Sequence, residues 1–293
     1  MTGEESDREG DSPYANAPPT AAGTARSALE KMAATKAAFA PKLKSLIQTL
    51  PASVAPYSAW TDDLLRNMDQ REAWDRFYSQ REKNGPPHLF DWFFGYKEIS
   101  TFLGSILGGL PPGQARVLDV GCGTSSLGLE LYRHSSVQVH ICCLDFSSAA
   151  LRGLARMLQD SPPPCHPLSE LRCHLGDATK LSHLFALGSF HLILDKGTCD
   201  SALRGSPRRA RQLVSECLRI LSPEGCLVQI SDEDPDARVP FLETAGGANI
   251  KVGEIANLNG IAYYAYTLSP RAPDPSEVGQ PAKSARNPTG EQP

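Results

Sequence analysis

Residues 116–132 read RVLDVGCGTSSLGLELY. The run passes from an apolar strand pattern closed by Asp119 into a glycine turn, Gly121-Cys122-Gly123, and then into an apolar-periodic helical segment. A strand, a G-x-G turn and a helix form the unit on which nucleotide-like ligands bind in open α/β sheets. Gly121 and Gly123 let the backbone turn sharply and approach a ligand, and Thr124 or Ser125 can cap a helix whose free N–H groups attract an anion. Ser126 stands where the dinucleotide pattern has its third glycine, which argues against a nicotinamide-dependent oxidoreductase. A short glycine motif fits several ligands, so the strands downstream of it decide the reading.

The second of these strands, HICCLDFS, is an apolar run ending in Asp145, with Phe146 next to it, where this fold needs a carboxylate for ribose hydroxyls. A third strand ends in LGDAT. Its Asp177 can accept from an adenine amino group while the Ala178 backbone contacts the ring. Strands are predicted at about 115–120, 138–144, 171–175, 190–195 and 225–231. Helical patterns lie between them, one around Ile99 to Leu110 and one from Leu213 to Leu221. Ser206-Pro207 starts the latter as N-cap and first-turn proline, and Ser222-Pro-Glu-Gly225 stops it. Runs at about 250–255 and 261–268, joined by ANLNG, read as a hairpin. The fold class is α/β: a doubly wound, mostly parallel seven-stranded sheet with a C-terminal antiparallel hairpin, unlike the dinucleotide dehydrogenases.

The 293 residues carry 41% hydrophobic and 21% charged side chains, a globular composition. A net charge of −4 and a pI near 6.0 mark neither a nucleic-acid nor a membrane-surface binder. No apolar run reaches the roughly 18–20 residues of a membrane span. Eight cysteines, without a C-x-x-C pair or a secretory signal, read as reduced thiols. Cys165-His166 and Cys173-His174 match no common zinc spacing, so no metal is expected. Composition divides the chain into a leader (1–60), a folded domain (61–269) and a proline-rich tail (270–293), both ends reading as disordered. Within the leader, Met32 to Thr61 has Lys36, Lys42 and Lys44, no acid and a helical apolar face, the make-up of an organelle transit peptide or of a basic linker.

FDWFFGY (90–96), LDVGCGTSSL (118–127), LDKGTCDS (194–201), SECLRIL (215–221) and SDEDPDAR (231–238) together resemble the seven-strand S-adenosylmethionine-dependent methyltransferases. Within them, these motifs closely resemble the branch acting on lysine of mitochondrial citrate synthase. The DKGT strand is shared with enzymes acting on elongation factor 1A. The similarity covers about 70–268. It implies a protein-lysine N-methyltransferase with S-adenosyl-L-methionine as cofactor and a protein substrate, citrate synthase first and elongation factor 1A second. It also implies residence in the mitochondrial matrix, the cytoplasm being the alternative. The aromatic segment is then a lid whose Trp92 and Tyr96 join Asp119, Gly121, Cys122, Gly123, Asp145, Phe146, Asp177 and Ala178 in holding the cofactor. Cys199 stands where relatives carry Trp or Leu, a change expected in the acceptor pocket.

Methyl transfer from a sulfonium needs a neutral amine in line with the S–CH₃ bond. Asp195, ending the fourth strand, is the candidate catalytic residue for receiving the lysine proton; the alternative, an acid that only fixes the Lys196-Gly197-Thr198 turn, stays open. Asp232, Glu233 and Asp234 come after the fifth strand and are expected to dock a basic protein surface. Small-molecule methylation and a non-catalytic scaffold are the competing functions.

Overall fold

The computed structural model describes residues 59–83, 89–111 and 113–271. The expectations for the leader up to residue 58, most of the transit-like segment included, and for the tail beyond 271 lie outside the described residues.

The strands are β1 (Ala115–Val120), β2 (Val139–Asp145), β3 (Glu170–Leu175), β4 (Phe190–Lys196), β5 (Leu221–Ser231), β6 (Ala248–Leu258) and β7 (Ile261–Pro270). They form one sheet in the order β3-β2-β1-β4-β5-β7-β6. The first five run parallel, and β7 is antiparallel to both β5 and β6. Strand order reverses between β1 and β4, and a crevice at the carboxyl ends opens at such a point. β1, β2 and β4 are short apolar runs, buried along almost their whole length because helices cover both faces, whereas β3, at the sheet edge, is polar and largely exposed.

The helices are α1 (Ala59–Arg66), α2 (Arg71–Lys83), α3 (Ser100–Gly108), α4 (Ser126–His134), α5 (Ser148–Gln159), α6 (Thr198–Gly205), α7 (Pro207–Ile220) and α8 (Pro235–Ala245). Leu103, Leu107, Leu127, Leu131, Leu151 and Leu154 of α3, α4 and α5 pack on one sheet face. Leu213, Val214, Cys217, Phe241 and Leu242 of α7 and α8 pack on the other. A third cluster joins Leu64, Met68, Phe77 and Tyr78 of the N-terminal helices and their link to Phe90, Trp92 and α5. It lays a cap over the carboxyl edge. Burying each such aromatic contributes about 1.5–3 kcal/mol, so the cap is part of the folded unit.

Ser206 caps α7 by accepting from the Arg209 N–H, with Pro207 in the first turn, as the sequence predicts. Two boundaries differ from expectation. β5 starts at Leu221 rather than near 225, because the chain extends directly from Ile220 and Leu221 pairs with Phe190, leaving an irregularity before Leu192. The hairpin turn is only Asn259-Gly260, both with positive φ (53° and 77°), so Ala256, Asn257 and Leu258 pair with β7.

Candidate active site

At the carboxyl ends of β1, β2 and β4 a cavity of about 920 Å³, counting its open mouth, lies under the N-terminal cap. Gly121, Cys122, Asp119, Asp145, Phe146, Asp177 and Ala178 line it, as do Trp92 and two residues of α2, Trp74 and Tyr78. The glycine turn has a structural reason of its own. Gly121 has φ 62°, and a Cβ there would fall 2.2 Å from Thr198 Oγ1, which itself donates to the Val120 carbonyl at 2.8 Å. Gly123 has φ 53° and would place a Cβ 2.2 Å from the Tyr78 hydroxyl. The glycines therefore admit α6 and α2 over the turn; Gly123 itself lies behind Tyr78 rather than on the cavity wall.

The three strand-end acids meet around this cavity in different states. Asp119 is buried, its Oδ2 has no hydrogen-bond partner, and burial pushes its carboxyl up to about 7 against the pull of Lys196. Asp145 accepts from the N–H groups of Gly123 (2.8 Å) and Ser147 (2.7 Å), one on each oxygen, and burial pushes it up to about 6. Each oxygen keeps a lone pair for a further donor. Asp177 engages Thr179 N and Oγ1 through Oδ1 alone, which starts a short 3₁₀ turn, Ala178–His183, and leaves Oδ2 free.

The start of α4 is already satisfied from within the chain. Asp91, in the segment before the first strand, accepts from Ser125 Oγ (2.6 Å), the Ser126 N–H (3.1 Å) and Lys196 Nζ (3.1 Å). The anion expected at this helix N-terminus is thus a side chain, Asp91, and not a ligand carboxylate. Lys196 reaches the cavity wall from β4, nearly buried, and also donates to the Trp92 carbonyl at 2.8 Å. Further wall residues unnoticed in the sequence are Met68 and Asp69 of the α1–α2 link, whose carbonyls accept from Ser201 Oγ and Arg209 Nη1. No local pattern signals them, since each gains its place through partners more than a hundred residues away.

Other expected residues lie elsewhere. Asp195 does not line the cavity: Oδ1 accepts from the Thr198 and Cys199 N–H groups, starting α6, and Oδ2 accepts from Gln229 Nε2 at 2.7 Å. Burial pushes it up to about 6, with Asp200 adding to the rise. Tyr96 stacks on His134 with centroids 6.1 Å apart, on the outer side of α4. Cys199 is fully buried with Sγ 3.4 Å from Arg238 Nη1 and does not line the cavity, so the position belongs to the core and not to the acceptor pocket in which a change was expected. Of the acidic loop, Glu233 turns inward, 3.7 Å from Arg238, and Asp234 caps α8 by accepting from the Asp236 N–H. Asp232 is half-buried, leaving Asp234 and Asp236 as the exposed pair.

These residues fit S-adenosylmethionine. Asp119 offers an unpaired buried carboxylate oxygen to an ammonium, Asp145 offers two acceptor oxygens to a ribose, and Phe146, Leu144, Ala178 and Leu213 give an apolar slot for a purine. Aromatic faces of Trp74, Tyr78 and Trp92 suit a sulfonium.

Comparison with known proteins agrees. Residues 113–250 match the methyltransferase-domain family. The chain is 45% identical over 205 residues to the mitochondrial citrate synthase-lysine N-methyltransferase of Homo sapiens, covering 67% of this chain and 84% of that protein. The Danio rerio protein of the same name is 36% identical over 245 residues, covering 80% of this chain and 96% of its own length. An EEF1A lysine methyltransferase 4 of Mus musculus is 27% identical over 180 residues, or 58% of this chain and 64% of that one. Among solved structures, the [4+2]-cyclase SpnF shares the fold with a TM-score of 0.51 at 14% identity, over 70% of this chain and 97% of that one. The chain belongs to the family of S-adenosylmethionine-dependent lysine methyltransferases that contains the citrate synthase-lysine N-methyltransferases.

Proposed function

We propose that residues 61–269 form a methyltransferase domain acting on a lysine of citrate synthase in the mitochondrial matrix, with the cavity under Trp74, Tyr78 and Trp92 as its cofactor site. The observation carrying the site assignment is the buried Asp119 carboxylate, with its unpaired oxygen, on the floor of a cavity that also gathers Asp145 and Asp177. The substrate and the compartment are supported by the names of relatives at 45% and 36% identity.

The cofactor supplies a methyl group activated on a sulfonium. The chain supplies placement. Asp119 receives the amino-acid ammonium, Asp145 the ribose hydroxyls, and Asp177 with Ala178 the adenine edge, while Gly121 and Cys122 form the wall beneath. Trp92 and the α2 aromatics exclude water, which desolvates the incoming lysine, lowers its pKa and favours the neutral amine. Asp195 acts at one remove: by capping α6 it fixes the Gly197-Thr198 turn that borders the reacting centre. Exposed Asp234 and Asp236, with half-buried Asp232 beside them, favour a basic face on the substrate.

The test is transfer of tritiated methyl from S-adenosylmethionine to purified citrate synthase, with Asp119→Ala as control and elongation factor 1A in parallel. Label on a citrate synthase lysine, absent in the control, is the expected result. Label on elongation factor 1A alone would move the substrate to the second branch. Cofactor binding with no label on any protein of a mitochondrial or cytosolic lysate would favour a scaffold.

A further inference from the structure

Phe93 has φ 72°, a region that L side chains with bulk rarely adopt, and the Phe94 N–H donates to the Trp92 carbonyl at 3.0 Å. An i to i+2 hydrogen bond around a positive φ is the strained form of the γ-turn. Such a turn persists only where its surroundings hold it. Here the same Trp92 carbonyl accepts a second bond from Lys196 Nζ at 2.8 Å, and Lys196 also pairs with Asp91 at 3.1 Å, one residue before the turn. The Lys196 side chain is 3% exposed and that of Asp91 19%. The turn in turn packs the Trp92 ring on Gly197, where a Cβ would sit 2.3 Å from Cδ1, and sets the Phe93 ring 5.4 Å from that of Tyr263.

We propose that Lys196 is a positioning residue: its buried ammonium, shared by Asp91 and the Trp92 carbonyl, clamps the strained 91–94 turn down over the cofactor cavity. This rests on the reading of that cavity as the cofactor site. The nearly buried Lys196 side chain at the end of β4 uses its N–H donors twice, once on the lid carboxylate and once on the lid backbone. The clamp also fixes the charge balance of the floor. Asp119 is faced by Lys196 from β4, Asp91 from the lid, Asp145 from β2 and the Gly128 N–H from α4. Lys196 favours its ionised form, whereas Asp91 and Asp145 oppose it. Removing either partner therefore opens the lid alike but drives Asp119 in opposite directions.

The experiment compares wild type, Lys196→Met, Asp91→Asn and the double variant by calorimetric binding of S-adenosylhomocysteine across pH 6–9, with hydrogen exchange of the 90–96 amides and the ligand-free Tm. Each single variant is expected to bind roughly tenfold more weakly at pH 8, about 1.4 kcal/mol, and the double no worse than the weaker single. Exchange should rise at 90–96 with the β1 and β4 amides still protected. The pH at which binding falls off should move up in Lys196→Met and down in Asp91→Asn, a split that general loosening does not produce. Additive losses, or identical pH shifts, would overturn the clamp. Wild-type affinity and pH profile in Lys196→Met would overturn it too while leaving the cofactor site standing; absent binding by the wild type would remove the site reading itself. If Lys196→Met does not fold, the sign of the Asp91→Asn shift decides alone.

Discussion

Asp195→Asn separates a carboxylate that takes a proton from one that holds a turn. In the substituted side chain Oδ1 still accepts from Thr198 and Cys199, and the new NH₂ faces Gln229. Gln229 Oε1 is buried and unpartnered, so rotating that amide by half a turn supplies the acceptor. What disappears is the buried charge. A carboxyl raised from 3.8 to about 6 at full burial means that ionising it in the fold costs about 3 kcal/mol more than in the unfolded chain, as an upper bound. Between those two pH values the folded wild type binds more protons than the unfolded chain, so this group's contribution to stability falls as pH rises through the window and is constant above it. The Asn variant has no such slope. Its Tm should equal that of wild type near pH 4 and exceed it by several degrees at pH 7, at roughly 2–4 °C per kcal/mol for a domain of this size. Calorimetric or fluorescence melts from pH 4.5 to 7.5 read the slope. Methyl transfer should stay within about fivefold of wild type, against the ~10²–10⁴-fold loss expected for a missing general base. A loss of that larger size with unchanged affinity for S-adenosylhomocysteine would refute the reasoning and return Asp195 to the chemistry.

Gly197→Ala should weaken S-adenosylhomocysteine about tenfold and lower the Tm, because φ 84° strains any side chain by ~1–2 kcal/mol and the added methyl displaces the Trp92 ring; calorimetric titration and a melt check both. Cofactor binding should release protons as pH falls from about 7 to 6, since an ammonium and ribose hydroxyls prefer ionised Asp119 (about 7) and Asp145 (about 6); titrations in buffers of different ionisation enthalpy count them. Affinity should decline in the same window. Arg238→Met should destabilise by about 3–5 kcal/mol, because Arg238 is fully buried and pairs with Asp200, Ser231 and Glu233, all of which would be left facing an apolar chain; chemical denaturation reads the loss.

The sheet was legible because its signals are local. β1 occupies Ala115–Val120 as its apolar run predicts, and the ends of β2 and β3 bring Asp145 and Asp177 to the cavity as strand-end acids should. The hairpin was visible too, but its ANLNG stretch contains only a two-residue turn, since Asn and Gly alone tolerate the two positive φ values required. At the end of β4 the pattern runs out. Asp195 and Lys196 are adjacent, and in a strand adjacent side chains point to opposite faces, so one of them can reach the cavity and the other cannot. Sequence alone favours the acid, because proton transfer wants a carboxylate; register decides for the lysine.

The same limit governs the lid. FDWFFGY shows its aromatic character openly, yet nothing local says that Trp92 rests on Gly197 while Tyr96, one helical turn's length along the chain, leaves for His134. That choice is made at Asp91, whose partners Ser125 and Lys196 lie 34 and 105 positions away. Loop closure over such spans is repaid only when several contacts form together, here the Asp91 bonds, the Lys196 bond to the Trp92 carbonyl and the aromatic cluster beneath. The carboxyl edge of the sheet, where the cavity lies, is therefore completed by a segment that precedes the sheet in sequence. A glycine motif read by itself identifies the half of the site that the strands build, and Gly121 and Gly123, pressed against Thr198 and Tyr78, carry the imprint of the other half.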